Sequence, residues 1–133
     1  MNLKKTKISS PRIKIIQKLY SSLINPNNKI DYPKSQYKKF IKDVVTGTLE
    51  RSDLIEEKIG LYLSKDINLL KTDKLLKIIL FAAVFELMFK HGTPKKVIIN
   101  EYLLASEHFL EKIQIGYLNA ILDKIAKELR KEE

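Results

Sequence analysis

The chain has 133 residues, a net charge of +9 and no cysteine, so disulfides, thiolate nucleophiles and cysteine-metal sites are excluded. The N-terminus MNLKKTKISSPR lacks the apolar segment of a secretory signal, and the longest apolar run, IILFAAVFELMF, is shorter than the roughly 20 residues that span a bilayer. We therefore expect a cytoplasmic protein that does not enter a membrane, with a single domain over residues 1–133.

Positive charge is concentrated at the N-terminal end. Residues 1–42 carry eleven basic side chains and one acidic one, whereas the rest of the chain is close to neutral. This polarity indicates a polyanionic partner, RNA or DNA first and an anionic membrane surface second. A solubilising face on a lysine-rich protein is the alternative. Residues 1–10 are polar and lysine-rich without apolar anchors, so we expect them to form a flexible tail.

Apolar residues recur at spacings of three and four along nearly the whole chain, a pattern typical of amphipathic helices. The helices are expected over 11–24, 34–51, 52–64 and 72–90, then from about 94 onward, and finally over 113–130. The fourth is apolar nearly all round and should be the central buried helix. No period-two strand pattern, flexible linker or internal repeat is found. The sequence predicts an all-α fold, a compact bundle of about six to seven helices.

Several helix starts have recognisable capping residues. Ser10 is expected to cap the first helix, with Pro11 at its first position. Asp53 is expected to open the third helix in a variant of the capping box. Thr93 and Pro94 should act as cap and first residue of the fifth.

The residues of common catalytic sites are absent or wrongly spaced. His91 and His108 are the only histidines and fit no metal-binding motif, and neither a phosphate loop nor a serine elbow occurs. The carboxylates Glu86, Glu101 and Asp123 lie among mostly apolar helical neighbours, where a structural role is expected rather than acid–base chemistry. We expect no enzyme activity, no metal and no cofactor.

Four stretches together resemble the NusB family of bacterial transcription antitermination factors. They are QKLYSSL at 17–23, LLKIILFAAVFEL at 75–87, PKKVIINEYLLASEHF at 94–109 and GYLNAILDKIA at 116–126. The resemblance covers most of the chain, in the family's order. It implies two packed three-helix bundles that bind boxA-type single-stranded RNA together with the small-subunit ribosomal protein NusE. That complex helps RNA polymerase read through terminators, chiefly in ribosomal RNA operons.

The resemblance also implies which cations bind RNA phosphates. The family's first helix is entered through an arginine-rich run, and the corresponding residues here are Lys4, Lys5, Lys7 and Arg12. Lysine neutralises phosphate as a point charge and lacks the bidentate fork of arginine. We therefore expect weaker and strongly salt-dependent RNA binding.

Three aromatic residues match family positions near RNA or the protein partner. Tyr20 and Tyr117 are implied as contacts to both, and Phe109 as a partner contact. Core packing is the alternative for each ring. Two departures from the family pattern are Ile113, where an acidic residue is common, and Phe81, where an arginine is usual.

Asn100 and Glu101 match the family's Asn-Glu pair. The four helical neighbours of Glu101 are all apolar: Val97, Ile98, Leu104 and Ala105. We expect these two residues to form an internal polar tie that sets helix register, with Asn119, Lys124 or a free backbone N–H as partner.

Three functions follow from these observations. The first is a non-enzymatic RNA-binding antitermination factor. The second is a protein-interaction module of the same fold without specific RNA recognition. It is favoured by Ile113 and by Ile8, Ser9 and Ser10, which interrupt the basic run. The third is a basic protein that binds membrane surfaces. It is disfavoured because the apolar helix faces are all needed for the core. The sequence leaves open whether the free protein is a monomer or a dimer.

Overall fold

The structure is a computed structural model that describes residues 10–62 and 73–133. Within those ranges it contains six helices and no strand, so the all-α prediction is confirmed. The helices are α1 (Pro11–Ile24), α2 (Lys38–Glu50), α3 (Ser52–Gly60), α4 (Lys74–Phe89), α5 (Lys95–Ser106) and α6 (Lys112–Leu129).

Helix α4 lies at the centre of the fold, as its apolar sequence predicts. The side chain of Asp73 caps it by accepting a hydrogen bond of 2.9 Å from the backbone N–H of Leu76. Every residue from 81 to 87 is buried, and the helix packs against all five others in the described chain. The outer helices therefore share one core around α4.

The remaining helices form two groups on either side of α4. Helices α1, α2 and α3 pack in succession, while α5 and α6 pack against each other. Helix α2 approaches α4 closely at Gly47, where an added Cβ atom would overlap the ring of Phe85. Helix α1 also contacts α5, and this brings the start of the described chain against both groups.

The start of α2 differs from the sequence prediction by four residues. We expected the helix from Lys34, but it begins at Lys38. The hydroxyl of Ser35 accepts a hydrogen bond from the backbone N–H of Tyr37, and its carbonyl accepts one from Lys38. Local bonds of this kind compete with helix formation and hold these residues in a turn.

Two of the predicted caps are also corrected. Asp53 lies inside the first turn of α3, because Arg51 alone separates α2 from α3 and occupies the cap position. Pro94 is the cap of α5 rather than its first residue, since its backbone is extended. A reciprocal capping box is present at the start of α6, between Glu111 and Gln114.

Arg130, the residue after α6, contacts the C-terminal end of α4. Its guanidinium is buried and donates hydrogen bonds to the backbone carbonyls of Glu86, Leu87, Lys90 and Thr93. These carbonyls lie at and just beyond the end of α4, and those of Glu86 and Lys90 also accept hydrogen bonds from the backbone N–H groups of Lys90 and Thr93. One side chain just after α6 therefore links the end of that helix to the end of α4.

Candidate RNA and partner interface

An arginine, a glutamate and a tyrosine meet inside the protein where α1, α4 and α5 come together. The Nε of Arg12 donates to Oε2 of Glu86 at 3.1 Å, and its Nη2 donates to Oε1 at 2.6 Å. The hydroxyl of Tyr102 donates to Oε2 of the same carboxylate at 2.5 Å. The ring of Phe40 on α2 lies 4.8 Å from the Arg12 guanidinium carbon. We call Arg12, Glu86 and Tyr102 the buried ion cluster.

The charges of this cluster are mutually compensated. Burial lowers the pKa of Arg12, but the hydrogen bonds and negative charge of Glu86 outweigh it, so the net shift is upward. Burial, followed by the charge of Glu86, raises the pKa of Tyr102 well above its ordinary value. Arg12 is therefore a cation and Tyr102 a neutral donor over the whole physiological range.

This geometry argues against the RNA contact predicted for Arg12. A phosphate contact needs a guanidinium that reaches solvent, whereas Arg12 is buried with its fork bound to Glu86. If the Arg12 guanidinium turned outward to bind RNA, the Glu86 carboxylate, which is 0% exposed, would be left without a counter-charge. The predicted contacts Lys4, Lys5 and Lys7 lie outside the described residues.

The residues of the predicted polar tie lie at or near the surface rather than inside the fold. Asn100 and Asn119 are exposed, and Glu101 is half-exposed with its carboxylate 3.9 Å from Nη1 of Arg12. The buried carboxylate that joins α1, α4 and α5 is that of Glu86, which the prediction did not include. The sequence already indicates a buried charge here, because Glu86 is the one charged residue in the apolar run from 78 to 89.

The three predicted aromatic contacts lie on different parts of the surface. Tyr20 on α1 is 38% exposed. Tyr117 is half-buried on α6 and packs against the edge of the core. Phe109 is also half-buried and lies in the turn after α5, not on the helix itself. The alternative of pure core packing therefore does not describe Tyr20.

An apolar surface surrounds the second half of α1. Leu23 and Ile24 are about half exposed and follow Tyr20 on the same helix. Leu23 lines a groove of about 570 Å³, with Leu49 and Phe81 among its other walls. Exposed apolar residues grouped in this way are typical of protein contact sites.

Other kinds of site are not found in the described parts of the chain. No group of three or more histidine, aspartate or glutamate side chains in residues 10–62 and 73–133 is arranged to hold a metal ion. None of the helices described combines the length and apolar character that crossing a membrane requires.

Comparison with known proteins identifies relatives along nearly the whole chain. A family model described as the NusB family matches residues 3–127. The transcription antitermination protein NusB of Rickettsia typhi is 32% identical, with 94% of each chain aligned. That of Rickettsia akari is 36% identical over 79% of this chain and 65% of its own. That of Rhodopseudomonas palustris HaA2 is 32% identical over 71% of this chain and 56% of its own.

The fold is also similar to that of a solved structure. NusB of T. maritima superposes with a TM-score of 0.75 at 22% identity, covering 89% of each chain. This confirms the fold predicted from the resemblance, including the all-α class. Because the family model matches residues 3–127 of the 133, the chain belongs to the NusB family.

Proposed function

We propose that this chain is a transcription antitermination factor of the bacterial cytoplasm. In this role it binds boxA-type RNA in nascent ribosomal RNA transcripts, together with a NusE-type small-subunit ribosomal protein, and promotes read-through by RNA polymerase. The observation that carries the proposal is the alignment with a transcription antitermination protein over 94% of both chains. The chain acts as an adaptor between RNA and protein and performs no catalysis.

Bases of single-stranded RNA stack on aromatic rings, and lysines neutralise its phosphates. Tyr20 is exposed and Tyr117 is half-buried, which supports their role as contacts. Lys4, Lys5 and Lys7 supply cations from the segment that precedes α1.

The partner contact is proposed for the apolar surface of α1. Tyr20, Leu23 and Ile24 are exposed on this helix, although its inward residues pack in the core. Burying such side chains against a partner is favourable, at about 25 cal/mol for each Å² of apolar area removed from water. Phe109, in the turn after α5, is a further proposed partner contact.

The first test is binding of labelled boxA-type RNA and of a scrambled RNA of equal length. The measurement is made near physiological salt with the NusE-type ribosomal protein present. A preference for boxA of at least about fivefold is expected, since one readable base is worth about 1–3 kcal/mol. Equal binding to the two RNAs would contradict recognition of boxA.

The second test concerns the partner surface. Tyr20→Ser should weaken formation of the heterodimer in a titration, because it removes an exposed ring at the proposed contact. Leu61→Ser is the matched control, since Leu61 is 70% exposed and lies at the end of α3. Equal loss in both variants, or loss in neither, would contradict this placement of the partner.

The alternative function is a NusB-fold interaction module without specific RNA recognition. The observation that favours it is Ile113, which is 87% exposed where the family pattern often has an acidic residue. This alternative predicts that the heterodimer forms normally while boxA and scrambled RNA bind equally. The two tests together therefore distinguish the two functions.

A further inference from the structure

A cleft lined by lysines lies between α1 and the segment that leads into α2. Four of its lining residues are cationic: Lys14, Lys18, Lys34 and Lys38. We call this the lysine cleft. The first two lie four residues apart on one face of α1, and so about 6 Å apart along its axis. The other two come from the turn before α2 and from its first residue, which places positive charge on both walls.

The charges of the lysine cleft are not compensated within the described chain. No carboxylate lines the cleft. In residues 10–62 and 73–133, none of its four lysines has a carboxylate oxygen within 4 Å. The neighbouring Lys39 behaves differently, because its ammonium lies 3.0 Å from the carboxylate of Asp43. Within the described residues, no ion pair therefore offsets the positive charge of the cleft.

An aromatic ring lies among these cations. Tyr32 lines the cleft, and its half-buried ring packs against the core. Its hydroxyl has a side-chain hydrogen bond with Thr46 on α2. Because both ends of the side chain are held, the exposed part of the ring is a fixed surface rather than a mobile one. A fixed ring flanked by cations is the arrangement on which single-stranded bases stack.

The lysine cleft continues along α1. A second cleft of about 350 Å³ shares Gln17 and Lys18 with it and extends to Asn25 and Lys29. The exposed face of α1 from residue 14 to residue 25 spans about 16 Å. One carboxylate, Asp31, lines the second cleft but not the first. The positive surface is therefore an elongated track with its highest charge near the start of α1.

The shape and chemistry of the track favour a polymer over a small molecule. The lysine cleft has a volume of about 240 Å³, below the roughly 300 Å³ at which small-molecule pockets begin. A row of cations with a stacking ring fits a sugar-phosphate chain that carries bases, whereas an acidic peptide would use the cations alone. We propose that the lysine cleft binds the backbone of single-stranded RNA next to Tyr32. This inference rests on the proposed function, to which it adds a second contact surface.

The test is the salt dependence of RNA binding by a triple variant, Lys14→Gln, Lys34→Gln and Lys38→Gln. The control is Lys96→Gln, Lys124→Gln and Lys131→Gln, which removes the same charge at exposed sites outside the cleft. Each phosphate contact on single-stranded RNA contributes about 0.7 to the log–log salt slope. The cleft variant should therefore lower the slope by up to about 2, and the control should leave it nearly unchanged. Melting curves of both variants confirm that they are folded.

Both RNAs, boxA-type and scrambled, are measured with each variant. Backbone contacts carry no sequence information, so the cleft variant should weaken both by the same factor and preserve any boxA preference. If the cleft variant and the control have equal slopes, the inference is wrong, whether or not boxA is preferred. If wild-type protein shows no boxA preference but the cleft variant still lowers the slope, the inference stands and specific recognition fails.

The aromatic part of the inference is tested separately. Tyr32→Leu removes the ring, whereas Tyr32→Phe keeps it and loses only the hydroxyl. Stacking on one base is worth about 1–3 kcal/mol, so the leucine variant should bind RNA at least about fivefold more weakly than the phenylalanine variant. Poly-glutamate of equal charge serves as the competing ligand. If it displaces RNA as well as unlabelled RNA does, the cleft is a site for acidic peptides and the inference is overturned.

Discussion

The two faces of α1 use positive charge in opposite ways. On the inner face the guanidinium of Arg12 is buried and fixed by two hydrogen bonds to Glu86. On the outer face Lys14 and Lys18 line an open cleft without a carboxylate. The planar fork of arginine suits a fixed buried pair, whereas the flexible and strongly hydrated ammonium of lysine suits a reversible contact. Cations on one helix therefore stabilise the fold on one side and, by our proposal, bind RNA on the other.

The largest expected effect is on the inner face. Arg12→Met leaves Glu86 buried without its counter-charge and should lower the free energy of unfolding by about 3–5 kcal/mol. Urea denaturation measures the loss. Lys14→Met is the matched control on the outer face and should change stability by less than about 0.5 kcal/mol. Adding Glu86→Gln to Arg12→Met should restore part of the lost stability, because the unpaired buried charge is then removed. Equal losses of stability in Arg12→Met and Lys14→Met would contradict the comparison.

A smaller effect is expected where α2 packs on α4. Gly47→Ala places a Cβ against the ring of Phe85 and should cost about 1–3 kcal/mol, despite the higher helix propensity of alanine. Gly116→Ala in α6 is the control, because nothing lies within 4 Å of its added methyl group. That change should stabilise the protein by up to about 1 kcal/mol. Thermal melts of the two variants should therefore shift in opposite directions.

The buried ion cluster also predicts a dependence on alkaline pH. The pKa of Tyr102 is raised in the folded state. The contribution of Tyr102 to the free energy of unfolding is therefore fully present below pH 10, the ordinary tyrosine value, and is lost as the pH rises above it. Each pH unit in that range should cost about 1.4 kcal/mol through this group. Tyr102→Phe should remove this part of the slope. Urea titrations between pH 9 and pH 11 compare the two proteins, and parallel slopes would refute the assignment.

The smallest effect is expected for an exposed ion pair. Lys39→Gln breaks the contact of 3.0 Å with Asp43, in which the lysine side chain is 88% exposed. Pairs of this type contribute less than about 0.5 kcal/mol, because water and salt screen them. The melting temperature should therefore stay within about 2 °C of the wild-type value. A large destabilisation would show that surface lysines on α2 also support the fold.

Local sequence predicted the helices well and their caps less reliably. The bounds of α1 and the central position of α4 agree with the apolar pattern. Asp53 failed as a cap because the single residue Arg51 between α2 and α3 already occupies that position. A capping residue is recognised from its neighbours in sequence, but its position also depends on where the preceding helix ends.

The candidate interface was predicted only in part. Tyr20 is exposed, and its neighbours on α1 form the apolar surface proposed for the partner. Arg12 was assigned to RNA because it follows a basic run, yet it is buried against Glu86. The lysine cleft was missed because its cations come from α1 and from the turn before α2, and only folding brings the two walls together.

By itself the sequence determined the class of fold, the family and the excess of positive charge in the first 42 residues, because periodicity, motif order and composition are local properties of the chain. The tertiary structure alone decided which cations face inward. Arg12 and Glu86 are 74 residues apart and meet only because α1 packs on α4. Burial then makes that pair obligatory, since an unpaired charge in the core is too costly to keep, while the lysines on the opposite face stay hydrated and available to a partner.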